Sequence, residues 1–208
     1  DWTLFIEKND IRVYRRTYPQ TNIREYKSEM VLEEDILTVS AVLNDIPAAV
    51  EWFPYCKFAE MIEETADGRK TVINIAGLPW PFMDRYAVFS FQKTADVAQK
   101  QIYIDFEIDD ESLKQDVDAL LDTDSMVKVT FMKGSWTLTM LDRDKTKLTY
   151  LVYADVGGHF PAWLMTAFFD NTPYETLKNL KGMVKKPKYQ RLSMTKQAAA
   201  FFESRQQP

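Results

Sequence analysis

Cysteine and histidine are almost missing from this chain: Cys56 and His159 are the single examples of each among 208 residues. One thiol can form neither an internal disulfide nor a thiolate zinc site, and one imidazole cannot supply an HExxH pair. Glycine is sparse, with six residues, and none of them builds a glycine-rich phosphate loop. No apolar run approaches the ~20 residues that a membrane-crossing helix needs. An excess of positive charge is missing too. The 26 Lys and Arg are scattered among 31 Asp and Glu, for a net charge of -5. Nucleic acid is bound by clustered cations that displace counterions, so no nucleic-acid partner is expected. The acidic stretch from Asp109 to Asp124 lacks the ordered ligands and central glycine of a calcium loop, and it reads as a solvated surface helix or lid-like insertion.

What remains is an ordinary apolar content, 46% hydrophobic and 13% aromatic, enough for one sizeable core. The expected division is one domain over residues 1–184 and a polar tail over 185–208, with a short helix possible from Ser193 to Phe202. Ile11 to Arg15 and Ile23 to Leu32 are β-rich and flank a turn-like cluster from Tyr18 to Asn22, which predicts a hairpin. Glu34 to Asn44 fits a short helix, and Pro47 to Tyr55 fits a second. Strands are expected at Phe58 to Glu64, Lys70 to Ala76, Arg85 to Thr94 and Gln101 to Ile108. In the last of these Ile102, Ile104, Phe106 and Ile108 alternate with polar neighbours, the period-two signature of one buried face. Val127 to Leu141 and Lys147 to Ala154 follow as two long strands joined by a polar turn at Asp142 to Lys145. Gly134 inside the first suggests a bulge or bend. After Gly157 and Gly158, Pro161 opens a helix expected to run to about Val184, with a kink or restart near Thr172, where Thr172 and Glu175 have capping-box spacing.

A hairpin, two short helices, a run of antiparallel strands and one long C-terminal helix is the helix-grip order, and two stretches carry it further. Pro79-Trp80-Pro81-Phe82-Met83-Asp84-Arg85-Tyr86-Ala87-Val88 resembles the aromatic and proline loop of START lipid-transfer domains. Asp155-Val156-Gly157-Gly158-His159-Phe160-Pro161-Ala162-Trp163-Leu164 is similar to their approach to the last helix. Gly134-Ser135-Trp136-Thr137-Leu138 and the spacing of Pro173, Leu177 and Leu180 agree. The resemblance covers about Trp2 to Val184. One departure is Tyr86, which stands where the family usually carries Asp after the motif Arg. Another is the long acidic stretch.

The resemblance implies an α+β helix-grip fold, with a curved antiparallel sheet wrapped around the long C-terminal helix and enclosing an apolar cavity. Such a cavity suits a lipid, since each buried methylene contributes about 0.8 kcal/mol. Arg85 is the polar candidate, because a buried Arg needs a partner; Asp105, Glu107 and Asp155 are the carboxylates considered for it. Trp80 and Phe82 in the loop, with Phe160, Trp163, Leu164, Ala167 and Phe168 on the last helix and its approach, are the expected mouth and lining. Tyr103 and Trp136 complete the set of expected ligand contacts. Exposed aromatics at a mouth favour transient docking to a membrane surface. No cofactor or metal is expected, and no catalysis: His159 reads as a cap or rim residue, and neither it nor Cys56 sits in a nucleophile arrangement. The expected function is a monomeric, non-enzymatic carrier or sensor of a phospholipid, sterol-like or fatty molecule. The alternatives are a helix-grip cyclase or hydrolase acting on a hydrophobic substrate, and an interaction module with a collapsed pocket. The first residue is Asp rather than Met, which points to a periplasmic or secreted protein, with the cytoplasm as the other location.

Overall fold

The structure is a computed structural model that describes residues 1–17, 24–108, 125–155 and 169–190. Ten strands among them form one sheet: β1 (Thr3–Lys8), β2 (Ile11–Thr17), β3 (Arg24–Leu32), β4 (Cys56–Glu64), β5 (Arg69–Ala76), β6 (Arg85–Asp96), β7 (Gln101–Ile108), β8 (Val127–Lys128), β9 (Phe131–Asp142) and β10 (Lys145–Asp155). Across the sheet the order is β1-β2-β3-β10-β9-β7-β6-β5-β4, and each of these pairings is antiparallel. The described helices are α1 (Ile36–Asn44), a 3-10 turn at Ile46–Glu51, α2 (Thr172–Met183) and α3 (Pro187–Gln190).

Alternation decides which face is inside. Along β7, Ile102, Ile104 and Phe106 are buried while Asp105 and Glu107 are exposed. The inward residues of the neighbouring strands, Phe91, Leu138, Leu148 and Met30, join the same core. Ile36, Val39 and Val42 of α1 and Leu177 and Leu180 of α2 close it from the other side. Full burial of such a side chain is worth about 1.5–3 kcal/mol, so this face holds the sheet and helices together. The chain turns into α1 at Asp35, whose Oδ1 accepts from the amides of Leu37 at 2.9 Å and Thr38 at 3.0 Å. That satisfies two donors the helix leaves free at its start.

Most expected elements are present, and five details differ. The sheet begins not at Ile11 but at β1, which pairs with β2 at the sheet edge. The helix expected over Pro47 to Tyr55 is the shorter 3-10 turn, ending at Glu51. Val127 to Leu141 is not one strand: β8 pairs in parallel with Arg85 and Tyr86 of β6, and only β9 enters the β7 and β10 ladders. The cap of α2 is Asn171 rather than Thr172, and its side chain makes no capping hydrogen bond. A restart is nonetheless present there, because a π-helical turn at 169–170 precedes α2. The packed unit also runs past Val184. Tyr189 is 2% exposed within the core, and its hydroxyl donates to Asp45 Oδ2 at 2.9 Å. The hairpin turn at Tyr18 to Asn22, the acidic stretch from Asp109 to Asp124 and the helix start at Pro161 lie outside the described residues.

Gly134 is not a bulge, since β9 keeps regular register with both neighbours at that point. A Cβ there would stand 2.2 Å from the Leu151 carbonyl oxygen and 2.4 Å from Phe106 Cζ. Glycine is required so that the Phe106 ring can lie across β9. Gly134→Ala is therefore expected to lower stability by about 1–3 kcal/mol, the usual cost of overpacking. Urea unfolding checks this, and a variant as stable as the parent chain would refute the assigned role.

Candidate functional site

Two adjoining cavities follow the concave face of the sheet. The outer one, of about 190 Å³, is lined by Arg85 and Ala87 of β6, Ala76 of β5, Val152 and Ala154 of β10, and by Phe169, Thr172 and Pro173 at the start of the last helix. The inner one, of about 120 Å³, is lined by Phe89 and Phe91 further along β6, Val72 of β5, Trp136 of β9 and Trp52 after the 3-10 turn. Phe53, Asn74, Met132 and Tyr150 border both. The outer cavity therefore lies between the sheet and the start of the last helix, and the inner one between the sheet and the end of α1 with the 3-10 turn. The outer part is open because three of its inward positions are alanines, whereas equivalent positions deeper in the sheet carry Phe, Leu and Trp.

Arg85 is 8% exposed and donates from Nη1 to the Met83 carbonyl at 2.6 Å. Burial pushes its guanidinium down while the neighbouring Asp84 carboxylate supports the charge. An arginine stays protonated under such conditions. Asp105 and Glu107, two of the expected partners, point to the outer face of β7 and cannot serve it. The side chain of Asp155 lies outside the described residues.

Asp84 also holds the loop at the mouth. Its carboxylate accepts from Lys57 Nζ at 2.8 and 3.0 Å and from the Leu78 amide at 3.1 Å. Burial works to raise its pKa, but the bonds from Lys57 and Leu78 and the charges of Lys57 and Arg85 outweigh it, and the pKa falls below the usual Asp value. Gly77 fits under Lys57, whose Cε would stand 2.2 Å from an added Cβ. Its amide donates to the Tyr55 carbonyl at 2.8 Å. Tyr55 lines the outer cavity at a φ of 63°, a region that residues other than glycine rarely occupy. At the tip of this loop Trp80 is 92% exposed and Met83 is exposed as well.

The expected contact residues thus separate. Arg85 and Trp136 line the hollow. Phe82 is half-buried with its amide on the Pro79 carbonyl at 3.0 Å, and with Trp80 it belongs to the rim rather than the lining. Tyr103 does not face the hollow: it lies in the outer phase of β7 and its hydroxyl donates to Gln101. Phe160, Trp163, Leu164, Ala167 and Phe168 lie outside the described residues. Sequence reasoning missed Tyr150, Met132 and Trp52. The phase of β10, set by buried Leu148, was the available signal for Tyr150. It also missed Asp170, a buried carboxylate that accepts from the Tyr26 hydroxyl and from Arg15 Nη1 at 3.5 Å. Tyr26 lines the outer cavity, so this cluster ties β2 and β3 to the start of the last helix. The described residues contain no cluster of His, Cys, Asp or Glu able to hold a metal ion.

Comparison with known proteins agrees with this arrangement. A family model described as polyketide cyclase / dehydrase and lipid transport matches residues 38–181. An uncharacterised protein of Pseudomonas aeruginosa is 24% identical over 89% of this chain and 88% of its own length. The phosphatidylcholine transfer protein of Rattus norvegicus is 28% identical over 86% of this chain and 82% of its own. Among solved structures, a fragment of a STAR-related lipid transfer protein from Xanthomonas axonopodis superposes with a TM-score of 0.75 at 28% identity, covering 89% of this chain and 99% of the fragment. The helix-grip fold implied by the loop and helix motifs is the fold observed.

The clamp on the mouth loop titrates in a defined direction. A carboxyl whose folded pKa lies below its unfolded value contributes stability at neutral pH, and that contribution is lost as the pH drops through the folded value. Lys57 is more than half exposed, so the ion pair is worth less than ~1 kcal/mol. Asp84→Ala is expected to speed hydrogen exchange of the Leu78 amide by about tenfold at neutral pH, a local opening rather than global unfolding. Acidifying the parent chain through the lowered folded-state pKa of Asp84 is expected to reduce the protection of that amide in the same direction, once the slower intrinsic exchange at low pH is divided out. An unchanged Leu78 amide in the variant would show that Asp84 does not hold the loop.

Proposed function

Given that this chain belongs to the polyketide cyclase / dehydrase and lipid transport family, we propose that it carries or senses one lipid molecule in the hollow between the sheet and the last helix, without catalysis. The observation that carries this reading is the pair of adjoining apolar cavities, which share Phe53, Asn74, Met132 and Tyr150, with a buried arginine and the start of α2 bordering the outer one. An apolar lining with a few placed polar groups is what a bound lipid requires. Arg85 suits a phosphate, carboxylate or hydroxyl at the head of a phospholipid, fatty or sterol-like molecule. Trp80 and Met83 at the tip of the mouth loop suit transient contact with a membrane surface during uptake and release.

The two volumes lie below the ~300–1,000 Å³ common for ligand pockets. Loading a lipid therefore requires the walls to part. Much of the wall is fixed by strand pairing, while Phe53, Pro54, Tyr55 and Leu78, like Phe169, Thr172 and Pro173, are joined to no strand ladder. The loading movement is accordingly assigned to the mouth loop and the helix side together. The family description also names cyclases and dehydrases. Cys56 is a poor nucleophile for such a role: burial pushes its thiol up, against smaller opposing effects of hydrogen bonds involving Asn74 and Phe58.

Native mass spectrometry of the chain after mild extraction is expected to show one co-purified lipid per molecule. Ala87→Phe fills the outer cavity beside Arg85 and is expected to cut that occupancy by about tenfold, at a stability cost of about 1–3 kcal/mol that leaves the sheet intact by circular dichroism. A folded variant with undiminished lipid, or a parent chain that binds none and turns over a substrate, would overturn the carrier reading.

A further inference from the structure

The two cavities differ in how their walls are held. The outer one is widened by Ala76, Ala87 and Ala154, and it alone is bordered by Tyr55 and Leu78 at the mouth and by Phe169, Thr172 and Pro173 on the helix side. A parting of those walls enlarges the outer cavity only. The inner one is enclosed by Val72, Phe89, Phe91 and Trp136 of paired strands, with Leu43 of α1 and Trp52 after the 3-10 turn. Four side chains stand where the cavities meet, and three of them are braced from behind. Tyr150 stacks on Trp136 with ring centroids 3.9 Å apart. Phe53 meets Trp52 edge-on at 5.7 Å, and its amide donates to the Ala49 carbonyl at 2.8 Å. Asn74 Nδ2 donates to Cys56 Sγ at 3.0 Å and to the Phe58 carbonyl at 3.3 Å. Met132, the fourth, is the adjustable one, because an unbranched thioether changes shape easily.

A methylene fills about as much space as a water molecule, ~30 Å³. The inner cavity, of about 120 Å³, thus accepts roughly four methylenes, and the outer one, of about 190 Å³, roughly six. Two tails side by side would each pass the neck by only about two methylenes, and the gain from burial scales with the methylenes removed from water. Stretching the neck for a second tail would force braced rings out of their favoured rotamers. We propose that the cargo is a single-chain amphiphile: its one tail threads the neck of Phe53, Asn74, Met132 and Tyr150 into the inner cavity, and its head stays beside Arg85. The inference rests on the lipid-carrier reading and narrows it, since a lipid with two chains has no second slot. A fatty acid and a one-chain phospholipid share the chemistry required. The neck, rather than Arg85, is what counts the chains.

Competition in native mass spectrometry tests this with three probes of one chain length: dodecanoate, monododecanoyl lysophosphatidate and didodecanoyl phosphatidate. The last two carry the same kind of head and differ in chain number. The parent chain is expected to favour lysophosphatidate over phosphatidate by about tenfold, or about 1.4 kcal/mol. Whether dodecanoate or lysophosphatidate is held more tightly identifies the source of the head group, and either supports the inference. Met132→Ala and Phe53→Leu widen the neck, and each is expected to bring the ratio of one-chain to two-chain ligand toward one. Phe53→Leu keeps an apolar side chain there, so it tests the point even if Met132→Ala folds poorly. Phosphatidate taken up as readily as lysophosphatidate by the parent chain overturns the inference and leaves the carrier reading standing. A preference that both variants leave unchanged overturns the neck as the selecting element. Uptake of none of the three would instead overturn the lipid-carrier reading beneath it.

Discussion

A line of aromatic rings crossing the sheet divides a filled core from a hollow one. It starts at Gly134, where the missing Cβ lets Phe106 lie across β9. Phe106 then meets Tyr150 at 6.3 Å, Tyr150 stacks on Trp136, and Trp136 meets Trp52. On one side of this line Ile104, Leu138 and Leu148 are fully buried against α1 and α2. On the other side Ala76, Ala87 and Ala154 leave room that nothing described fills. The rings are rigid and their stacking favours fixed geometry, so the boundary does not collapse into the space beside it. Stability and hollowness are thereby assigned to different ends of one sheet.

That division also explains how an arginine is accommodated inside. A guanidinium is costly to bury in a packed apolar core. Here it sits where small residues border the hollow, beside the Met83 carbonyl and within the field of Asp84. Asp84 in turn takes the Leu78 amide and Lys57, so the charge that supports Arg85 is the same one that fixes the mouth loop. The polar end of the hollow and its gate are built from shared groups.

Much of this was legible in the sequence, because alternation and turn chemistry are local. The phase of β7, the Asp142 to Lys145 turn and the short helix ending at Asn44 needed only period and punctuation to find. Arg85, singled out from the loop motif, and Trp136, from the Gly134 to Leu138 stretch, both line the cavities. What was not legible depended on partners distant in the chain. β1 has a mixed pattern because it is an edge strand, exposed on much of its surface. β8 exists only because β6 offers it two residues in parallel. Tyr103 was set among the ligand contacts although its own strand's alternation, read with Ile102 and Ile104 buried, puts it outside. Asp170 had no sequence signal, since its partners Tyr26 and Arg15 come from the first hairpin. Gly134 suggests a bulge or bend, whereas the register there is regular and the glycine admits a ring from β7.

The reach of the last helix follows from the same physics. α2 is held to the filled side by Leu177, Leu180 and Val184, all with no solvent exposure, and at its far end by Tyr189 on Asp45. Its other end borders the hollow through Phe169, Thr172 and Pro173. There Asp170, reached by Tyr26 and Arg15, adds a polar attachment to the packing of Pro173 and Tyr174. A helix fixed by close packing at one end and by packing joined to directed polar contacts at the other has its resistance to movement distributed unevenly. Packing fails over many small contacts at once, whereas a polar attachment is made or broken at a few atoms. A π-helical turn at 169–170 lies at the change from one mode to the other, which is where a helix can bend without giving up its buried leucines. The end beside the cavity therefore combines directed polar contacts with packing, while the end over the core rests on its buried leucines.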